Sequence, residues 1–389
     1  MTGDRLRVGL PVSQSGQFSL QGDQVLAGVK RWIQWTNDRG GITVADDQHL
    51  PLELIQYNDE SHPTAAANLT RQLIQDDEVD ILFGPYSSRL TVAAAPVADA
   101  NEVVLWNHSG ATDALYDDGF RWLVSILSPA SRYFHGLLDL IQHIDLSASQ
   151  VAVFWSGSGS FGQAVTSGAK HRAQELGFTI VKEQSWEPPL DNAATILETL
   201  RDINPQLVLA AGSFDDDTAL VQELVAQDIR TKAIGVVAAG ISAFGEQLGE
   251  TASNVFGPSQ WEPTSNASPD YGPSPTEVVD LFETTDVQAT DYPAAQAFAM
   301  GIVIEACLAA SDAYDPAAET INQRQLRRSA EHSDFTTFYG RFRIDAETGK
   351  QLGQIPTVVQ WHDEKKQVVW PEERRQAEPR YPTHWNNSS

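Results

Sequence analysis

Cysteine is almost missing from this chain. Its 389 residues hold one, Cys307, which excludes an intrachain disulfide and a cysteine-based metal site. Set among Ala, Ile, Val and Met at helical spacing, Cys307 reads as a buried, inert thiol. Positive charge is also scarce: 26 Lys and Arg stand against 52 Asp and Glu, a net charge of −26. A phosphate backbone calls for clustered Lys and Arg, and their absence excludes a nucleic-acid partner. The acidity itself speaks to solubility rather than fold, with a saline or exposed milieu as the other reading. The histidines are scattered with no H-E-x-x-H among them, so neither a metal nor another cofactor is expected. Long apolar runs are lacking too, and none approaches the ~20 residues of a membrane span. The run 8–12 is too short for a leader core, and Ser13-Gln14-Ser15-Gly16 after it is no cleavage site. Two expectations follow: a cytoplasmic protein if the start is genuine, or a periplasmic or extracellular one whose leader has been removed.

What the chain does have is enough apolar residue, 41%, to build real cores, and enough length for two domains. Apolar runs at 6–11, 50–58, 79–83 and 103–106 read as strands, separated by helical patterns at 22–36, 63–75 and 91–100. Ser61 stands as the cap of the helix at 63–75, with Pro63 near its start. The alternation restarts with helices at 131–144, 163–176, 193–201 and 218–227 between strands at 151–155, 179–183, 207–211 and 232–237. Such an order implies parallel sheets with helices on both faces. Crossings between the two units are expected at 124–129 and in the proline-rich stretch 262–275. Helices at 276–283, 292–311 and 321–330 need a sheet to cover, and the first domain is the natural host. Strands at 340–344, 357–362 and 367–370 close the pattern, with Glu364-Lys365-Lys366 as a hairpin turn. From 371 onward the chain is polar and proline-containing, a surface tail.

The polar stretch Trp106–Asp113 follows a buried strand, the place where open α/β sheets bind ligands. Its amide, imidazole and hydroxyls, together with Tyr86-Ser87-Ser88 one strand earlier, look like half of a small-molecule clamp. Ser87 and Ser88 suit either a hydroxyl donor to a carboxylate or a helix N-cap, and the two are compatible. No G-x-S-x-G elbow surrounds them, and His108 and Asp113 lack triad spacing, so no catalytic residue is expected. Gly157-Ser158-Gly159-Ser160-Phe161-Gly162 fits the dinucleotide pattern after a strand, with Glu183 ending the next strand. The turn of any doubly wound lobe favours glycine as well. Asp215, Asp216 and Asp217 read as the cap and first turn of the following helix.

The order of motifs resembles the type I periplasmic binding proteins, in the leucine/isoleucine/valine-binding branch that serves ABC transporters. The residues that carry the resemblance are Val8-Gly9-Leu10-Pro11 with Ser15-Gly16, Asn37-Asp38-Arg39-Gly40-Gly41-Ile42, Tyr57-Asn58-Asp59-Glu60, Gly84-Pro85-Tyr86-Ser87-Ser88, Ser109-Gly110-Ala111-Thr112, Gly159-Ser160-Phe161-Gly162, Phe338-Tyr339-Gly340 and Val359-Gln360-Trp361. The resemblance implies an α/β fold of two doubly wound parallel-sheet lobes joined by a three-strand hinge. Lobe one would take 1–126 and 263–337, lobe two 127–262 and 338–371, with 372–389 as the tail. It also implies a solute-binding protein, not an enzyme, that closes on a small molecule and hands it to ABC permease subunits. Membrane contact would run only through the permease or a lipid anchor. The first-lobe grip falls on Ser87 or Ser88 and on Ser109, Gly110 and Thr112, with Phe18 and Tyr86 alongside; the second lobe adds Phe161, Ser213 and Phe214. In amino-acid binders a second-lobe acid pairs with the ligand ammonium, and the matching stretch here, Val236-Val237-Ala238-Ala239-Gly240, has none. An aromatic or branched carboxylate, or an amide, therefore joins amino acids as an expected ligand. A cytoplasmic sensor of the same fold, similar to amide-responsive regulators, is the alternative, with a nucleotide-dependent enzyme behind it.

Overall fold

The computed structural model describes residues 5–44, 48–190, 193–264, 268–283 and 291–383. Met1–Asp4 and the last six residues of the expected tail lie outside them. The chain divides into two compact units, Met1–Pro129 with Pro263–Gln354, and Ala130–Glu262 with Ile355–Ser389. It therefore passes from one unit to the other three times.

The first unit is built on a parallel sheet of five strands. Across the sheet they run Leu52–Asn58, Leu6–Val12, Ile81–Phe83, Leu105–Asn107 and Leu123–Ser125. The central strands are buried on both faces, which is why they read as continuous apolar runs rather than alternating ones. Leu123–Ser125 overlaps the start of the stretch expected as a crossing; with three residues it carries too little pattern to be seen in sequence. The second unit repeats the plan with parallel strands Gln150–Ser156, Thr179–Trp186, Leu207–Ala211, Ala233–Val236 and Phe256–Ser259. Numbered by chain order within each unit, both parallel sets run 2-1-3-4-5. The second sheet then adds the antiparallel hairpin Thr357–His362 and Lys365–Trp370. Its turn sits at Asp363 and Glu364, both at positive φ, one residue before the expected position.

Helix Ser19–Asp38 begins three residues before its expected start and packs along helix Tyr292–Ala309. The latter is apolar and long enough to cross a bilayer by composition, against expectation, but nearly all of it is buried in the first unit. Its Glu305 is buried and accepts from Trp32 Nε1 (2.9 Å), the Thr36 hydroxyl and the Arg39 guanidinium (2.9 Å). Cys307 is fully buried, and burial pushes its thiol up to about 12. Ser61 does not cap helix Pro63–Gln75: His62 holds the cap position, and the Ser61 hydroxyl donates to the Ser15 carbonyl at 2.7 Å.

Two segments group differently from the expected division. Residues 338–354 belong with the first unit, where Phe338 packs on Phe298 and the Gln354 amide donates to the Tyr339 carbonyl at 3.1 Å. The described tail is pinned to the second unit rather than loose on its surface. Tyr381 donates to Asp145 Oδ2 at 2.6 Å, and Arg380 N–H donates to Gln360 Oε1 at 2.8 Å. The hydrogen bonds from Lys232, Ser147 and Tyr381 hold the Asp145 carboxyl well below the usual carboxylate range.

Candidate functional site

A 2-1-3-4-5 sheet has a topological switch between its first and third strands, and ligands of open α/β sheets bind beyond the C-terminal ends of the strands there. In the first unit this point lies between Leu6–Val12 and Ile81–Phe83, and in the second between Gln150–Ser156 and Leu207–Ala211. The expected site residues sit at or beside these two points, each set within its own unit.

In the first unit, Ser87 follows strand Ile81–Phe83 and holds the N-cap position of helix Ser88–Ala100. Its hydroxyl makes no capping bond, and it is buried without a hydrogen-bond partner among the described residues. A helix N-terminus also favours negative charge. The Phe18 ring stands edge-on to Tyr86, 5.8 Å between centroids. Ser88 is committed elsewhere: its oxygen accepts from the N–H groups of Ala111 (3.0 Å) and Thr112 (3.1 Å). That stitches the loop after strand Leu105–Asn107 to the helix start.

The loop itself is braced from inside. Asn107 donates to the Gly110 carbonyl (2.7 Å) and Ser125 Oγ (2.8 Å), while its Oδ1 accepts from Gly110 N–H at 2.6 Å. The backbone donor expected at Gly110 is thus used within the loop, a correction to the reading of Gly110 as a ligand contact. Ser109 is engaged too, facing His108 Nδ1 at 2.6 Å and accepting from Gln296 Nε2 at 3.1 Å. Gln296 in turn accepts from the Tyr339 hydroxyl at 3.3 Å. His108 Nε2 lies 2.8 Å from the Gly84 carbonyl, which only accepts, so the proton sits on Nε2 and Nδ1 accepts from Ser109. Burial lowers the imidazole to about 4, against the opposing pull of the Gly84 carbonyl. His108 is a neutral brace. Lys350 reaches Asp113 at 2.7 Å, fastening the far end of the loop.

In the second unit, Phe161 opens helix Phe161–Glu175, half-buried, with its ring edge-on to Tyr133 at 5.6 Å. Tyr133 escaped the sequence reading; no motif marks it. Of the glycines here, Gly162 lets the helix approach the sheet: a Cβ on it would stand 2.8 Å from the Ala211 carbonyl. Glu183 lies inside strand Thr179–Trp186, bonded to Lys170 at 2.6 Å, so the acid expected at the strand end for a dinucleotide ribose is not there. Ser213 forms a capping box with Asp216, which commits its hydroxyl to the helix start rather than to a ligand. Phe214 is half-buried and packs on the core of the second unit. Asp217 was read as a first-turn residue; it is buried, and accepts from Gly212 N–H (2.8 Å) and Ala238 N–H (2.9 Å). The surplus of acids in Asp215-Asp216-Asp217, where a capping box needs one, was the available signal. Among the described residues no group of three His, Cys, Asp or Glu side chains is placed to hold a metal ion.

A family model described as periplasmic binding protein matches residues 5–366. The chain is 22% identical to Leu/Ile/Val-binding protein homolog 7 of Brucella abortus, over 95% of this chain and 92% of that protein. Its fold matches the branched-chain amino acid transporter substrate binding protein of Streptococcus pneumoniae, solved in complex with isoleucine, at TM-score 0.77 and 16% identity, covering 93% of this chain and 97% of that one. It also matches an ABC transporter solute binding protein from R. palustris in complex with benzoate, at TM-score 0.75 and 17% identity, covering 94% and 95%.

Proposed function

Because this chain belongs to the periplasmic binding protein family, we propose that it captures a small organic carboxylate outside the cytoplasmic membrane for an ABC permease. The observation that carries the reading is the Ser87 hydroxyl, buried and unpartnered at a helix start beside the first unit's switch point. A buried polar group without a partner costs free energy. A ligand carboxylate would supply the missing partner, with the helix N-terminus favouring its charge. Phe18 and Tyr86, beside Ser87 in the first unit, offer ring surface for an apolar ligand body. The stretch 236–240 brings no acid, so an ammonium on the ligand is not required. Both an aromatic carboxylate such as benzoate and a branched aliphatic one meet these terms.

Thermal shift followed by calorimetric titration tests the proposal with benzoate, isoleucine, a branched 2-oxo acid and benzamide. A carboxylate should raise the melting temperature and the neutral amide should bind more weakly. Ser87→Ala should weaken carboxylate binding by about ten- to a hundredfold, the range for a hydrogen bond to a charged group. It should leave the melting temperature of the free protein unchanged, since among the described residues the hydroxyl has no partner to lose. Equal binding by wild type and Ser87→Ala would overturn the assignment of Ser87.

A further inference from the structure

In the first unit the loop 13–18 leaves strand Leu6–Val12 at the switch point, and the turn 58–61 ends the neighbouring strand Leu52–Asn58. The turn is folded against its own preference. Glu60 (φ 54°) and Ser61 (φ 60°) both lie in the left-handed region, which residues with a Cβ disfavour. Two side chains hold it there: Asn58 Oδ1 accepts from Glu60 N–H at 3.0 Å, and Asp59 Oδ1 accepts from Ser61 N–H at 2.9 Å. The same groups reach across to the loop. Asn58 Oδ1 also accepts from Gln14 N–H (2.9 Å), Asn58 Nδ2 donates to Ser15 Oγ (3.0 Å), and Asp59 Oδ1 also accepts from Ser13 Oγ (2.6 Å). The Ser61 hydroxyl donates to the Ser15 carbonyl (2.7 Å) and accepts from Phe18 N–H (3.0 Å). Gly16 lets loop and turn come this close: it sits at φ 83°, and a Cβ on it would stand 2.7 Å from Ser61 Oγ.

We propose that Ser61, supported by Asn58, is a positioning residue for Phe18, and that through Phe18 it sets how large a ligand body fits beside Ser87. The proposal rests on the solute-binding reading above. Phe18 carries the Ser61 bond on its backbone and has its ring edge-on to Tyr86, the residue before Ser87. Loop residues 14–17 are exposed and bury little that would fix them, so the hydrogen bonds from the turn carry that task. Phe18 also holds the N-cap position of helix Ser19–Asp38, without a side-chain cap of its own. The body of that helix is anchored by its packing on helix Tyr292–Ala309. Release of the Phe18 amide therefore frees the ring at the helix start and leaves the body in place. A ring held by a hydroxyl that is donor and acceptor at once is a wall of fixed position. Released, it yields to a larger ligand and grips a smaller one less well, because the pre-organisation is gone. The left-handed pair Glu60 and Ser61 is thus strain kept in the free protein for the sake of ligand discrimination.

The test uses the full chain with two carboxylates of different bulk, benzoate and biphenyl-4-carboxylate. Wild type should favour the smaller; equal binding overturns the size claim. Glycine tolerates the backbone angles of Ser61, so Ser61→Gly removes the hydroxyl without adding strain. It should weaken benzoate about tenfold and biphenyl-4-carboxylate about threefold or less, which narrows the discrimination between them. Phe18→Ala should narrow it likewise, and the double variant should lose no more than Phe18→Ala alone, since Ser61 acts through that ring. A merely structural Ser61 would weaken both ligands equally or lower only the melting temperature. Either result overturns the proposal, as do additive losses in the double variant. In ligand-free protein, the nuclear Overhauser contact between the Phe18 and Tyr86 rings should be present in wild type and lost in Ser61→Gly. If neither carboxylate binds wild type, the solute reading fails for these ligands and this contact decides whether Ser61 holds Phe18; a contact kept in Ser61→Gly overturns it. Should Ser61→Gly not fold, Asn58→Ala, at an exposed position, takes its place in the same cycle with the same narrowing expected.

Discussion

His108 is the group whose chemistry most constrains the first unit's loop. Its single proton, on Nε2, serves the Gly84 carbonyl, and its Nδ1 needs the Ser109 hydroxyl. An imidazolium would have a proton on both nitrogens and would confront Ser109 with a second donor. With burial lowering it to about 4, the unfolded chain takes up this proton more readily than the folded one as pH falls below the ordinary histidine value. The stability held by neutral His108 is thus complete above pH ~6.5 and is lost as pH falls towards 4, about 3 kcal/mol over that range. Urea unfolding at pH 7.5 and pH 5 should show about 2 kcal/mol of this loss as the difference between wild type and His108→Gln, since the opposing proton uptake by buried Asp217 is common to both. In His108→Gln, less stable at both, the loss should be smaller; an equal loss in the two proteins would remove His108 from the explanation. At this scale the sequence was partly legible. The polar loop at 106–113 and the serines at 87–88 stand out because they interrupt buried apolar runs. Which polar groups are already occupied was partly hidden, because Ser109 is bound by Gln296 as well as by its neighbour His108, and Asp113 by Lys350, both Gln296 and Lys350 far away along the chain.

Among the elements, the pairing of helices Ser19–Asp38 and Tyr292–Ala309 organises the first unit, and Gly301 sets how closely they meet. Replacing a mid-helix glycine by alanine ordinarily gains up to about 1 kcal/mol in helix propensity. Here the added Cβ would lie 2.1 Å from the Trp32 indole, whose Nε1 is tied to Glu305. The ring is also packed on Phe83, 5.5 Å between centroids. Overpacking of this kind costs roughly 1–3 kcal/mol. Gly301→Ala should therefore lower the denaturant midpoint in spite of the propensity gain; a raised midpoint would mean that Trp32 can move aside. Most strands and helices were legible because parallel strands covered on both faces are continuous apolar runs and the helices between them keep a helical period. The strands of the two large sheets that escaped notice, Leu123–Ser125 and Phe256–Ser259, have three and four residues, and the second contains Gly257 and Pro258. Their strand state is imposed by neighbours in the sheet, Leu105–Asn107 for the first and the hairpin strand Thr357–His362 for the second. The closing segment 338–354 was assigned to the wrong side of a crossing for the same kind of reason. Phe338 and Gln354 declare their unit only through Phe298 and Tyr339.

For the whole molecule, charge is the dominant uncompensated quantity. A net charge of −26 leaves many carboxylates without a cationic partner. Exposed ion pairs such as Arg324–Glu102 and Arg230–Asp228 contribute little, because water screens them and ordering the long side chains costs entropy. Mutual repulsion among the acids therefore outweighs what such pairs return, and it is greater in the compact state than in the expanded one. Salt shortens the reach of this repulsion from ~30 Å at 0.01 M to ~3 Å at 1 M. The melting temperature should rise steadily between 10 mM and 1 M NaCl, and equally in KCl if screening rather than a specific cation site is responsible. A fall with salt would mean that the surface pairs dominate. The same experiment separates this charge from His108. Lowering the pH protonates surface carboxylates and relieves repulsion, which opposes the loss from the buried imidazole. At 1 M salt the surface contribution is largely screened while the buried one persists. The destabilisation between pH 6.5 and 4 should then be larger at 1 M than at 10 mM; a smaller loss at high salt would show that the acid response originates at the surface.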